Sequence, residues 1–389
     1  MTMRVAFNAT PLLSPLTGIG NYIVELGAAL AEIPEIDAYS FYRYRWRHER
    51  PTVPQSGPAS LNPSTFQRIK PWLPFRGTLR QAARHLGFAR GLRKFRLDLY
   101  HEQNYVPLSY DVPVVITIHD LSWLHYPGAH PADRVRWLER GLPKAIERAG
   151  GILVDSNFVR DEVLSTFDVD AARVHTAHLG VPRGFHPRDS DQTAGSLRPL
   201  QLEHGGYVLT VGTIEPRKNL AHILDSYALL PDALRERFPL VIAGAKGWQS
   251  SDIVDRLRRS SGRQLRFLDH VDGRALRDLY AGAALFAFPS LYEGFGLPPL
   301  EAMASGAPVI VSDRASLPEV VGEAGETMNP TDPVQSAQKL RALLEDSDRR
   351  RELARKGIQR AGRFTWAFCA KATCAVYRVA LGFAEDPAP

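Results

Sequence analysis

The stretch S-L-Y-E-G-F-G-L-P-P-L-E-A-M-A-S-G, Ser290 to Gly306, carries more information than any other in the chain. It follows an apolar run at Ala284–Phe288, turns through two glycines, and enters a helical pattern at Leu297–Ala304. Strand, tight turn and helix in that order form the repeating unit of a parallel α/β sheet. Glu293 falls in the turn and Glu301 lies in the helix, with seven residues between them. Gly294 and Gly296 allow close approach of the backbone to a ligand. The free amides of a helix start suit an anion such as a diphosphate. Carboxylates on either side of that anion can accept hydrogen bonds from a sugar and from a ribose. Either glutamate alone would suit a capped turn or a solvated helix face; the whole string points to a ligand site.

The same alternation extends outward to both ends. Strands are expected at Arg4–Ala9, Ala38–Tyr44, Leu97–His101, Val112–His119, Gly151–Asp155 and Val174–Leu179. Helices fit at Gly20–Glu32, Thr78–Lys94, Pro131–Arg148 and Phe158–Thr166. The runs V-P-V-V-I-T-I and G-I-L-V-D are nearly continuous apolar, as strands covered on both faces require. Pro182 to Gly206, rich in Pro, Gly, Ser and Asp, reads as an interdomain linker. Beyond it strands fit at Tyr207–Gly212, Pro239–Ala243, Leu265–Phe267, Ala284–Phe288 and Pro308–Ser312, with helices at Asn219–Leu230 and Arg274–Ala281 between them. A chain of 389 residues is too long for one core. The expected fold is therefore α/β, with two Rossmann-like, doubly wound domains facing across a cleft. Residues 1–182 form the first, residues 207–365 the second, and a helix within 366–389 returns to the first. Ligands of such sheets bind beyond the carboxyl ends of the strands.

Three more motifs fall at those strand ends. V-G-T-I-E-P-R-K-N-L, Val211 to Leu220, places Arg217 and Lys218 at a helix start, where the dipole disfavours cations. Neutralising a departing diphosphate explains the pair better than solvation does. T-G-I-G-N-Y opens the first helix, and its Gly18 and Gly20 either admit a phosphate or sugar or serve only the turn. In T-I-H-D-L, His119 ends an apolar strand, where a quietly backbone-bonded histidine and a substrate contact both fit. Asp120 suits loop orientation or capping. Asp168-Val-Asp170 and Asp189-Ser-Asp191 fall in connecting segments and read as turn residues. There is no G-x-G-x-x-G, no metal-ligand spacing around His175, His178 or His222, and no sign of a Ser-His-Asp triad. No metal and no nicotinamide or flavin cofactor is expected.

Glu293 to Gly306 matches E-G-F-G-x-P-x-x-E-A-M-A-x-G almost position by position. From Arg4 to about Thr365 the chain resembles the retaining GT-B glycosyltransferases of glycosyltransferase family 4. The resemblance implies that Glu293 binds donor-sugar hydroxyls, Glu301 holds the ribose, Arg217 and Lys218 meet the diphosphate, and His119 helps to place the sugar. It implies a donor-binding set of Gly18, Gly20, Gly212, Val271, Gly294, Phe295, Gly296, Leu297 and Glu301, with base selection near Asp269–Val271. The implied reaction is metal-independent hexosyl transfer, with retention, from a nucleotide-sugar to a saccharide or lipid-diphosphate-linked acceptor. The I-E-P-R-K-N and F-N-A-T-P-L-L strings resemble bacterial mannosyl- and rhamnosyltransferases of polysaccharide assembly, which makes GDP-mannose the first donor to test. An inactive nucleotide-sugar-binding protein or a sugar-nucleotide epimerase on the same fold are the competing readings. The intact set His119, Arg217, Lys218, Glu293 and Glu301 argues against the former, and the paired glutamates argue against the latter.

Composition sets the remaining bounds. Two cysteines, Cys369 and Cys374, form no disulfide framework and suit a reducing cytosol. No signal peptide or membrane span is expected, which favours a cytoplasmic location. The net charge of +6 is local: Phe66 to Arg96 holds nine Lys or Arg and no acid, leaving −3 for the remainder. That distribution points to one surface meeting something anionic and not to nucleic-acid binding. Arg76, Arg80 and Arg84 recur every four residues, while Leu79, Ala82, Ala83, Leu86 and Ala89 suit packing on a different face. With the Pro- and aromatic-rich loop at 71–75, the stripe fits peripheral contact with the inner face of the cytoplasmic membrane. A solvated arginine face fits it nearly as well.

Overall fold

The computed structural model describes residues 2–14, 18–54, 76–247, 249–269 and 271–383, and of 76–82 the backbone alone. Among these, β1 (Met3–Asn8), β2 (Ile36–Tyr42), β3 (Arg45–Arg47), β4 (Leu99–Glu102), β5 (Val114–Ile118), β6 (Gly151–Val154) and β7 (Val174–Thr176) form one sheet. Its order is β3-β2-β1-β4-β5-β6-β7, parallel except for the β2–β3 pair. The second sheet comprises β8 (Val208–Val211), β9 (Leu240–Ala243), β10 (Leu265–Leu268), β11 (Leu285–Phe288), β12 (Val309–Ser312) and β13 (Glu326–Met328). Its order is β10-β9-β8-β11-β12-β13, with every pair parallel. Each sheet reverses its winding once, between β1 and β4 and between β8 and β11. At such a reversal the crossover helices diverge and leave a crevice at the carboxyl edge.

Burial explains why these short segments hold. All five residues of β5 and all four of β11 are buried, and each large apolar side chain so placed contributes roughly 1.5–3 kcal/mol. The strand ends that carry His119 and Ser290 are thereby anchored in core. The helix Trp366–Ala380 is capped by Thr365, whose hydroxyl accepts from Phe368 N. It packs on the helix Gly18–Leu30 and on β5 and β6, with the Tyr377 hydroxyl 2.7 Å from His101 Nδ1. The chain thus crosses between the halves twice, and the crossings touch: Val181 N donates to Phe364 O at 3.0 Å.

Three sequence expectations change. The stretch 182–206 contains the helix Ser190–Leu197, started by an Asp189–Gln192 capping box. It docks on the second half through Arg188 and Ser196, both bonded to buried Asp278. Of the polar residues that suggested a linker, Asp189 is the helix cap and Ser196 a docking contact. The edge strands β3 and β13 were not expected, because R-W-R and E-T-M are short and largely polar and so give no apolar signal. On the helix Arg76–Lys94 the faces are rotated from the reading above. Arg84 is half-buried with its guanidinium toward Asn8 Oδ1, 3.5 Å away, whereas Leu86 is 53% exposed. Phe88 and Leu92 are fully buried and continue the four-residue spacing of Arg84, so the face that carries Arg84 points inward. Arg84 is therefore no surface cation. The side chains of Arg76 and Arg80 and the loop 66–75 lie outside the described residues. Among the described residues no helix is long and apolar enough to cross a membrane.

Candidate active site

β8 and β11 lie side by side, so the segments after them leave the sheet together at its reversal point. After β8, Pro216–Lys218 makes a single turn of 3-10 helix that ends at Asn219, φ +56°. Asparagine tolerates that left-handed backbone, and its amide donates to the Pro289 and Pro330 carbonyls at 3.3 and 2.8 Å. Ser290 Oγ and Leu291 N both donate to Arg217 O. The two segments are thus tied backbone to backbone, which presents Arg217 and Lys218 to Glu293.

Glu293 is 7% exposed. Its Oε1 accepts from Lys218 Nζ and from Ser290 Oγ, each at 2.6 Å, and its Oε2 accepts from Arg217 Nη1 at 3.2 Å. Arg217 also donates to Glu215 Oε1 and to Tyr292 O, each at 2.6 Å. Lys218 Nζ stands 5.3 Å from the Phe288 ring centroid, a favourable place for a cation. Burial alone would raise the Glu293 pKa, but Lys218 and Arg217 outweigh it and hold the carboxyl below its usual range. Burial pulls Lys218 below the usual lysine value despite Glu293. For Arg217 the balance is reversed: burial is outweighed by Glu293, Glu215 and Asp120, which hold it above its usual value. Two cations and two carboxylates therefore compensate each other in a nearly dry site. An incoming diphosphate can take the cations and release Glu293 to bind hydroxyls.

Glu301 sits apart from this cluster, half-buried on the helix Leu297–Ala304. Burial pushes its carboxyl up to about 7, opposed by the Tyr280 hydroxyl. The start of this helix is poorer in donors than the sequence suggested. Gly296, φ +113°, is its N-cap, and residues 298 and 299 are prolines without N–H. Leu297 is half-buried, whereas Phe295 is buried, with its ring 5.7 Å from that of Phe364. Phe295 can meet a donor only through its backbone. Gly294 also differs from expectation: a Cβ there would lie 1.9 Å from the His119 carbonyl oxygen. The opposite half of the protein by itself requires glycine there.

His119 follows β5 and is buried. Its Nδ1 faces Asp155 Oδ2 at 2.8 Å, and its Nε2 faces Gln103 O at 2.9 Å. Burial disfavours the imidazolium, but Asp155 and the Gln103 carbonyl outweigh it and raise the pKa. Both ring nitrogens are engaged internally, so His119 adjoins the donor turn through its backbone. Asp120 accepts from Ser122 N and Oγ and orients the loop. Tyr22, two residues beyond Gly20, meets the His119 ring edge-on at 4.7 Å, which brings the first helix start beside it. A Cβ on Gly18 would meet nothing within 4 Å, so among the described residues no neighbour requires glycine there. Gly212 ends β8 with its carbonyl against Gly244, and Val271 packs half-buried on the core. Glu215, Ser290, Tyr292, Asp155, Ser156 and Glu319 were not singled out from sequence. Glu215, Tyr292 and Ser290, within three residues of the cation pair or the first glutamate, had a local signal; Asp155, Ser156 and Glu319 had none.

Residues 16–184 match the family model Glycosyltransferase Family 4, and residues 199–360 match Glycosyl transferases group 1. The O-antigen chain mannosyltransferase B of Escherichia coli is 37% identical over 385 residues, covering 97% of this chain and 100% of that protein. Among solved structures, a sucrose-phosphate synthase from Thermosynechococcus elongatus superposes with a TM-score of 0.74 at 20% identity, over 97% of this chain and 98% of that one. Anabaena HepE in complex with UDP and glucose gives 0.72 at 16% identity, over 96% and 98%. The likeness to the Escherichia coli protein runs the length of both chains, and with both family models it identifies the chain as a member of the GT-B glycosyltransferases of family 4.

Proposed function

We propose that this enzyme transfers mannose from GDP-mannose, with retention, to a saccharide or lipid-linked saccharide during bacterial polysaccharide synthesis. The observation that carries the transfer chemistry is Glu293 held between Lys218 and Arg217. One cluster contains the carboxylate for the sugar and the cations for the diphosphate. The mannosyl donor and the polysaccharide setting are supported by the end-to-end likeness to an O-antigen mannosyltransferase.

On donor binding, the diphosphate displaces Glu293 from Lys218 and Arg217, and the freed carboxylate accepts hydrogen bonds from sugar hydroxyls. Arg217 keeps its bond to Glu215, which fixes its orientation. Glu301 accepts from the ribose. The bond between the anomeric carbon and the diphosphate oxygen then breaks, with both electrons leaving on the phosphate. The acceptor oxygen bonds to the anomeric carbon from the same face and passes its proton to the departing phosphate. Positioning and preorganised charge supply most of the acceleration. With two protein cations facing the leaving group, no metal is required.

Incubation with GDP-, UDP-, ADP- and dTDP-sugars, with NMR assignment of the product anomer, tests the reading. Turnover of GDP-mannose to an α-mannoside in excess EDTA is the expected result. Preference for another nucleotide, an inverted product, or strict dependence on Mn²⁺ or Mg²⁺ would each refute the corresponding part.

A further inference from the structure

One element of the N-terminal half is gripped by the C-terminal half along its length. It is the helix Asn157–Thr166 with its lead-in Asp155-Ser156, directly after β6. At its start, Glu319 accepts from Asn157 N at 2.9 Å and from Phe158 N at 3.1 Å, with His178 Nε2 2.7 Å away. Ser156 Oγ caps the helix through Val159 N and donates to Gly294 O at 2.6 Å. Further along, Glu162 accepts from the Tyr292 hydroxyl and pairs with His125 Nε2 at 2.8 Å. The Tyr292 hydroxyl also accepts from Leu121 N at 2.9 Å. Asp155, in the lead-in, orients His119.

We propose that this helix and its lead-in fix the donor turn 292–295 when the two halves meet, with Tyr292 and Glu319 acting as positioning residues for Glu293. The inference rests on the glycosyl-transfer reading above. Tyr292 precedes Glu293, and its carbonyl accepts from Arg217, so its peptide unit bears on both the carboxylate and the cation. The Glu319, Ser156 and Tyr292 contacts all span the two sheets and are lost together when the halves part. With the grip intact, the sugar held by Glu293 faces an acceptor on the N-terminal half. Without it, the donor still binds the C-terminal half, but water competes for the anomeric carbon. The same carbon–phosphate bond breaks, the water oxygen replaces the acceptor oxygen, and free sugar and nucleoside diphosphate result.

The test uses the full chain, the nucleotide-sugar that wild type turns over, and a mannose-terminated oligosaccharide as acceptor probe. Tyr292→Phe should leave donor KM within about twofold, lower kcat about tenfold, as for one lost orienting hydrogen bond, and raise the share of free sugar. Glu162→Leu, which removes the acceptor, should behave alike, and the double variant should be no worse than either single, because coupled partners are non-additive. Multiplying effects, or an unchanged kcat and product ratio, would overturn the proposal. If Tyr292→Phe fails to fold, Glu319→Ala should give the same KM-against-kcat split. Small-angle scattering reads the grip without turnover: Glu319→Ala should enlarge the radius of gyration, and equal radii would overturn it. A wild type that turns over no nucleotide-sugar refutes the functional reading instead and leaves the scattering result standing by itself.

Discussion

The carbonyl oxygen of His119 occupies the space that a Cβ on residue 294 would need, at 1.9 Å. Two loops from opposite halves of the protein therefore meet backbone to backbone, beside the carboxylate that faces Lys218. A glycine in a ligand-binding motif is usually explained by the ligand; here the partner loop by itself requires it.

Gly294→Ala follows directly. The added methyl must push the halves apart, and such overpacking costs about 1–3 kcal/mol. We expect kcat to fall about 10- to 100-fold, with nucleoside diphosphate affinity within about twofold by calorimetry. Wild-type kcat would mean that the halves need not meet there during catalysis.

Removing charge from the cluster should be more severe. Glu293→Gln and Lys218→Ala should each lower turnover about 100-fold or more, the scale for one preorganised group. Removing one member of a buried ion pair also destabilises the fold. Glu293→Gln preserves shape and the Ser290 contact but leaves Lys218 and Arg217 facing a neutral amide, so its melting curve should also move down. Steady-state kinetics paired with melting curves separates the two effects.

Stability should depend on Glu301 and pH in a defined sense. Burial raises its folded-state pKa to about 7 from 4.5, so the folded protein holds this proton more tightly than the unfolded chain. The resulting stabilisation is full below about pH 4.5, declines as pH rises, and is gone above about pH 7. Glu102, likewise raised to about 7 by burial, adds a second contribution of the same sign. The melting temperature of wild type relative to Glu301→Gln should therefore fall between pH 5 and 7 and run flat above about 8. Parallel curves across the whole range would contradict the burial of this carboxyl.

The paired chain crossings predict a hinge with no tolerance for bulk. A Cβ at Gly180 would lie 2.2 Å from Trp366 N. Gly180→Ala should cost about 1–3 kcal/mol and lower the melting temperature by several degrees in calorimetry.

Much of this molecule was determined by local sequence alone. The runs at 114–118, 151–154 and 285–288 could bury every side chain only inside parallel sheets, and they lie there. The string from Ser290 to Gly306 placed Glu293 in a turn and Glu301 in a helix, because strand, turn and helix signals each span only a few residues. Tertiary structure decided the rest. Arg84 points inward because Phe88 and Leu92 on its helix meet the sheet, and no charge count reports that. His119 engages Asp155 across 36 positions, and Glu319 caps a helix start 162 positions away. Periodicity encodes which face of a segment is buried. It carries no record of which distant backbone amide or carboxylate will be waiting there, because that partner is chosen by chain topology and by the meeting of two separately built sheets.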